Sequence, residues 1–333
     1  MQTPQLREVD ETVPAAAREA GAPPHSMRKI WVDLLMYPTH SLPTGIAPVA
    51  IGVGLAAHDG VLAPVPALVG FLGSWAIHVA GLFVDNHELL RLHPQVVEHP
   101  ELTHAVRDGK LRLPFLRAMT ALCIGLSMLT VPYLYRIGGW PVIAFGVVGI
   151  VVSLAYNWAP WACVRRGHAD PIFVVMFGIV GVLGTYWIQA AATQGAAEPW
   201  RLLLSLPAHV WFVGLPAGAL VTSVMLIDDI RDHEFDRTKG WRTGAVRFGP
   251  RFDANVITAL VAFSYLAPIA YWLWLGYDAW VLLPLASLPL AWWIVGVVRS
   301  ATERTTLIPF TPRLSMLSAL HSALLGLGLA LSR

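Results

Sequence analysis

The chain reads as an all-α protein that crosses a membrane many times. Its 333 residues are 56% hydrophobic and only 13% charged, about half the charge of an ordinary soluble domain. Mean hydropathy is +0.58. Apolar stretches of ~20 residues, each long enough to cross a bilayer, recur along the sequence. The basic residues alternate between connections: of 23 Lys and Arg, all but Arg136, Arg201 and Arg333 fall in the N-terminal segment or around every second loop.

Nine spans satisfy that pattern, at roughly residues 42–58, 61–84, 112–134, 139–160, 171–193, 203–226, 253–275, 278–298 and 311–331. The first is short and carries Pro48 among several glycines. By the positive-inside rule the N-terminus is cytoplasmic, the large charged loops face the cytoplasm and the C-terminus is external. Such a chain belongs in the bacterial inner membrane or its equivalent. Residues 1–25, rich in Ala, Pro and Glu, lack the apolar core of a signal peptide and read as a disordered tail. Residues 26–36, SMRKIWVDLLM, have the pattern of a helix lying in the membrane surface. The remainder, 26–333, forms one transmembrane domain. Cys123 and Cys163 lie in a span and at a cytoplasmic helix end, where no disulfide is expected. The net charge of +2 and the hydropathy give no footing for a nucleic-acid partner; the lipid bilayer is the partner the composition demands.

Two cytoplasmic loops, 85–111 and 227–252, carry the chemistry. Both begin where an apolar helix runs into acid, FVDNHE in one and LIDDIRD in the other, which suggests a weak duplication of a four-span unit. In the second, Asp228, Asp229, Asp232, Glu234 and Asp236 fill five of nine positions. On a helix continuing past the sixth span, Asp229, Asp232 and Asp236 project from one face, with Asp228 beside them. Clustered hard oxygen donors suit Mg²⁺, whose shell is usually completed by water and substrate phosphates. The string Asp-Asp-Ile-Arg-Asp has the DDxxD spacing of enzymes that bind allylic diphosphates. A solvated helix end, its acids paired with Arg231, Arg237 and Lys239, is the alternative. Lys239 and Arg242 just downstream could hold phosphate oxygens, although positive-inside topology alone would also place bases there.

DDIRDHEFDRTKGWRTGAVRFG resembles the signature of the menaquinone-pathway 1,4-dihydroxy-2-naphthoate prenyltransferases within the UbiA superfamily. In that branch two asparagines precede R-D-x-x-x-D, then G-K-R-T and A-V-R-L-G. Residues 156–189, from YNWAP to GTYWIQ, and residues 41–56, SLPTGIAPVAIGVGLA, are similar to two further blocks, in family order. The resemblance implies an all-helical fold around a central cavity open to lipid. It also implies two Asp-rich loops that hold Mg²⁺ and a polyprenyl diphosphate, and attack on an allylic cation by an aromatic, quinone-precursor acceptor. Asp232 and Asp236 match the branch's second motif, while Asp228 and Asp229 replace its asparagines. The first motif, N-D-x-x-D in the family, departs: Asp85 and Asn86 fall on or beside its Asn-Asp pair, the later acid becomes leucine, and Glu88 offers a substitute.

Other residues carry two readings each. Arg165 and Arg166 could reach diphosphate, or merely mark the cytoplasmic side. Asp170 matches a family acid, or caps the fifth span. Tyr156 falls in the second block. Tyr186 and Gln189, polar groups deep in a span, need partners that a cavity would supply. Gly178, Gly181 and Gly184 read as close-packing positions. The chemistry expected is therefore Mg²⁺-dependent prenyl transfer. A terpene cyclase of the same superfamily is the alternative, and a non-catalytic lipid-binding or transport protein of the same fold the third reading.

Overall fold

The computed structural model describes residues 30–31, 38–93, 102, 105–106, 108–158, 161–167, 169–195 and 197–332. The expected tail, 1–25, and most of the surface helix at 26–36 lie outside them. All regular structure among the described residues is helical.

Seven helices are long and apolar enough to cross a membrane, and two shorter apolar ones accompany them. In chain order they are α1 (Pro38–His58), α2 (Pro64–Leu92), α3 (Leu113–Gly138), α4 (Trp140–Ala155), α5 (Asp170–Gln194), α6 (Ala208–Thr238), α7 (Pro250–Trp274), α8 (Ala279–Ser300) and α9 (Arg304–Leu331). The shorter two are α1, apolar over Leu42–His58, and α4. Proline in the first turn starts α2, α3, α4 and α7, where its missing N–H costs no hydrogen bond. Helices α2 and α6 run eight and twelve residues beyond the apolar stretches expected at 61–84 and 203–226. Hydropathy marks where lipid ends, but these helix ends are enclosed by protein, which lets the helix continue.

Helix α6 is the most enclosed, 83% of its apolar stretch being buried. Against it lie α5, α7 and α9. Gly178 of α5 and Gly218 of α6 let these two backbones touch: a Cβ on Gly218 would fall 2.4 Å from Val174 O and 2.9 Å from Gly178 Cα. The α5 helix contains a π-turn at Met176–Val180, a distortion that concentrates at functional sites. Outward-facing Leu129, Leu204, Trp274 and Trp292 are largely exposed on the bare protein, as a lipid-facing surface requires.

Candidate active site

The acidic end of α6 is not a solvated helix end. Asp229, Asp232 and Asp236 are only 8%, 3% and 3% exposed, because α5, α7 and α9 close around it. A buried carboxylate requires a counter-charge or a cation, and Asp232 and Asp236 take different ones. Asp236 pairs with Lys239 Nζ at 2.9 Å, both side chains nearly inaccessible. Lys239 in turn sits 3.9 Å from the centroid of the Trp241 ring. Asp232 accepts from Arg231 on one oxygen and from Arg304 Nε, at 2.9 Å, on the other. Asp228 accepts from Thr311 Oγ1 at 2.8 Å and pairs with Arg231.

Tyr156 shows which acids converge. Its phenol is pushed well above the ordinary tyrosine value, first by burial and then by the charges of Asp85, Asp229, Asp228 and Asp236. Asp85 accepts a hydrogen bond from Asn157 Nδ2. Asn157 Oδ1 accepts from Arg165 Nε at 2.8 Å, and Arg165 Nη2 donates to the Asn157 carbonyl at 2.9 Å. Burial lowers the Arg165 guanidinium from its ordinary value, opposed by the charges of Glu88 and Asp85. The short loop that sets this geometry contains Ala162 in the left-handed region (φ 38°), a strained conformation held by its surroundings. The Arg242 N–H donates to the Arg165 carbonyl at 2.8 Å, so the loops after α4 and α6 are stitched together.

Asp85 and Tyr156 lie at one end of a cavity of about 340 Å³. It extends along α2 from Asp85 to Gly70, about 22 Å at helical rise. Pro48, Trp75, Phe145, Phe173 and Phe177 supply a largely apolar wall. Of the chain's tryptophans only Trp75 and Trp187 line it; Trp140, Trp158, Trp161, Trp200, Trp272, Trp274, Trp280, Trp292 and Trp293 are exposed, as belt or lipid-facing residues are.

The structure thus gathers Asp85, Asp228, Asp229, Asp236, Tyr156, Arg165 and Lys239, with Asp232 at their edge. It does not bring in every expected residue. Asn86 is buried and donates back to Leu82 O of its own helix at 2.9 Å. Glu88 is 3% exposed at its side chain and engaged by Arg91 and His87. Arg166 and Arg242 have exposed side chains. Gly181 packs as expected, a Cβ there falling 2.9 Å from Pro48, whereas Gly184 has ordinary space.

Tyr186 and Gln189 lie off the cavity lining. The Tyr186 hydroxyl donates to Asp59 Oδ2 at 2.6 Å, and Gln189 Oε1 accepts from Ala63 N at 3.3 Å. Their partners belong to the α1–α2 connection, at the end of the bundle opposite the acids. The Asp59 carboxyl lies below its ordinary 3.8: burial raises it, but hydrogen bonds from His209 and Tyr186 and the charges of His209 and His58 prevail. A carboxyl depressed on folding adds stability above its unfolded value and loses it as pH falls through the folded one. Thermal unfolding of detergent-solubilised protein should therefore drop more steeply below pH ~4 in wild type than in Asp59→Asn. Parallel curves would remove this clasp.

Sequence reasoning missed Asn157, Asp253, Thr311 and Arg304. Asn157, beside Tyr156 at the end of an apolar run, carried a signal in its polarity. Asp253, 1% exposed and among the charges bearing on Asp229, looked like an ordinary first-turn acid. Thr311 and Arg304 gave no local sign.

The donor set suits a hard divalent cation, because Asp85, Asp228, Asp229 and Asp236 are carboxylates whose charges all reach Tyr156. No three Asp, Glu, His or Cys side chains among the described residues already stand together as a finished cage; binding would draw them in from their present partners.

Comparison with known proteins identifies the family. The sequence profile of the UbiA prenyltransferase family matches residues 45–311. A 1,4-dihydroxy-2-naphthoate octaprenyltransferase of Mycobacterium tuberculosis is 28% identical over 289 residues, 81% of this chain and 86% of that protein. The enzyme of the same name from Haemophilus influenzae is 28% identical over 189 residues, and that match spans 56% of its length. A UbiA homolog from Archaeoglobus fulgidus, solved bound to DMAPP and Mg²⁺, superposes with a TM-score of 0.53 at 18% identity, covering 89% of this chain and 98% of that one. The same homolog bound to GPP and Mg²⁺ also gives 0.53, at 15% identity, covering 89% and 99%. This chain is an integral membrane prenyltransferase and belongs to the UbiA prenyltransferase family.

Proposed function

We propose that the chain uses Mg²⁺ to transfer a prenyl group from a polyprenyl diphosphate to an aromatic acceptor of the dihydroxynaphthoate kind, within the membrane. One observation carries this reading: Asp85 and Tyr156 lie at the end of an elongated apolar cavity, where the charges of Asp228, Asp229 and Asp236 also reach Tyr156. Acid gathered there suits a cation and its diphosphate, and the apolar length suits an isoprenoid chain. The names of the relatives, and the Mg²⁺ and prenyl diphosphates bound to the Archaeoglobus homolog, support it.

In this reading Asp228, Asp229, Asp232, Asp236 and Asp85 would hold the cation. Mg²⁺ bound there supplies Lewis-acid neutralisation of the diphosphate. Lys239 and Arg165 hold phosphate oxygens, with Arg166 and Arg242 at the rim. The Tyr156 hydroxyl donates to the leaving oxygen. The allylic C–O bond breaks with its electron pair going to diphosphate. An electron pair of the acceptor ring then forms the bond to the allylic carbon. The ring regains aromaticity by losing a proton to the released diphosphate, or by losing carbon dioxide where the attacked carbon bears a carboxylate. Phe173, Phe177 and Trp75 line the cavity and would shield the allylic cation by cation–π contact, and the apolar wall keeps water from intercepting it. Residues 26–333 act as one domain with nine crossings, the two shorter helices included, N-terminus cytoplasmic and C-terminus external, and the cavity opens sideways to lipid.

Protein in nanodiscs, given Mg²⁺ and geranylgeranyl diphosphate with and without dihydroxynaphthoate, should form a prenylated aromatic product by mass spectrometry only when the acceptor is present. A cyclic hydrocarbon from diphosphate alone would instead mark the chain as a terpene cyclase. No product and no diphosphate binding would return it to a lipid-binding role.

A further inference from the structure

The α2 half of the site is built unlike the α6 half. Both oxygens of Glu88 are taken: Oε1 accepts from His87 Nδ1 at 2.9 Å and Arg91 Nε at 3.1 Å, and Oε2 accepts from Arg91 Nη2 at 2.6 Å. Arg165 Nη2 lies 3.7 Å from the same Oε2. Arg117 Nε donates to His87 Nε2 at 3.0 Å. A guanidinium only donates, so His87 accepts at Nε2 and its proton resides on Nδ1, facing Glu88. From Arg165 the network runs through Asn157 to Asp85. It therefore joins three guanidinium groups to two carboxylates and is positive on balance.

Among the described residues, a divalent cation finds no uncommitted carboxylate oxygen on Glu88. To recruit Glu88 it would have to break a two-point charge-assisted pair with Arg91, beside two further positive groups. The α6 half is the opposite: Asp228, Asp229 and Asp236 follow one another on a single helix, and their charges reach Tyr156. Arg165 also lies toward that half. Its guanidinium is 6.0 Å from the centroid of the Trp241 ring, the ring that carries Lys239.

We infer that this chain holds one divalent cation, on the α6 half, and that the fixed guanidinium network of Arg91, Arg117 and Arg165 around Glu88 takes the place of a second. The inference rests on the proposed prenyl-diphosphate function and departs from the two metal-bearing loops that the sequence resemblance implied. Arg91 and Glu88 then become positioning residues, which keep Arg165 aimed at the diphosphate.

The test counts cations rather than turnover. Full-length protein in nanodiscs is saturated with a non-reacting thiodiphosphate analogue of geranylgeranyl diphosphate and titrated with Mn²⁺, followed by electron paramagnetic resonance and calorimetry. One Mn²⁺ per chain is expected. Glu88→Gln and Arg91→Met should leave that count at one while weakening the analogue about tenfold, the size of effect that outer supporting groups give. Asp229→Asn should remove the cation. Two Mn²⁺ per chain in the wild type, one lost in Glu88→Gln, would overturn the inference and leave prenyl transfer standing. Neither cation nor analogue bound would overturn the function as well. The wild-type count decides even if a variant fails to fold.

Discussion

Asp236→Asn is expected to lower turnover by about 10²–10³-fold, the range seen when one preorganised electrostatic group is removed from an active site. The substitution keeps size and hydrogen bonding but removes a charge that would hold the cation. It also leaves Lys239, 2% exposed at its side chain, without its full counter-charge. Breaking a buried pair from one side destabilises by about 3–5 kcal/mol, so lost activity alone is ambiguous. The double variant Asp236→Asn/Lys239→Met tests the stability half alone, because Lys239 is itself assigned to phosphate: its melting should recover toward wild type. Asp229→Asn, which strands no paired base, should lose a similar factor while melting normally. Asp232→Asn reports whether Arg231 and Arg304 release this carboxylate during the reaction; a loss matching that of Asp236→Asn means they do. Product assays under limiting Mg²⁺, with a melting curve for each variant, check all of these. Near-wild-type turnover in both Asp229→Asn and Asp236→Asn would defeat the carboxylate assignment.

Gly54→Val is expected to abolish folding rather than chemistry. Helices α1 and α9 cross with their backbones in contact. A Cβ on Gly54 would fall 2.0 Å from Gly326 O, and one on Gly326 would fall 2.2 Å from Ala50 O. Neither obstacle is a side-chain tip that could swing away, so the two helices must part. The penalty should exceed the ~1–3 kcal/mol typical of overpacking, because the contact fixes one helix that lines the cavity. Monodisperse yield and melting temperature in detergent are the readouts. Gly296→Val, at a position with nothing within 4 Å of the added Cβ, is the control and should behave as wild type. A Gly54→Val protein that melts with the wild type would show that α1 and α9 do not meet here.

The all-α class, seven membrane-length apolar helices and the acidic end of α6 were legible because they are local properties. Apolar length reports what must leave water, and basic residues report which side a loop occupies. Helical phase put Asp229, Asp232 and Asp236 together before any tertiary contact was known. Lys239 was legible as a base close behind acids.

What each charged group does was decided elsewhere in the chain. Asp232 meets Arg304, Asp228 meets Thr311, and Asp85 meets Asn157, partners separated from them by 72, 83 and 72 residues. No periodicity could have paired them. Glu88 is a cation ligand by sequence position, yet Arg91, His87 and Arg165 claim its oxygens. Tyr186 and Gln189 were rightly judged to need partners, and the α1–α2 turn supplies them rather than the cavity. Sequence determines that a polar group in an apolar chain must be satisfied. Which group satisfies it depends on the helix that packs opposite, and only the folded bundle sets that.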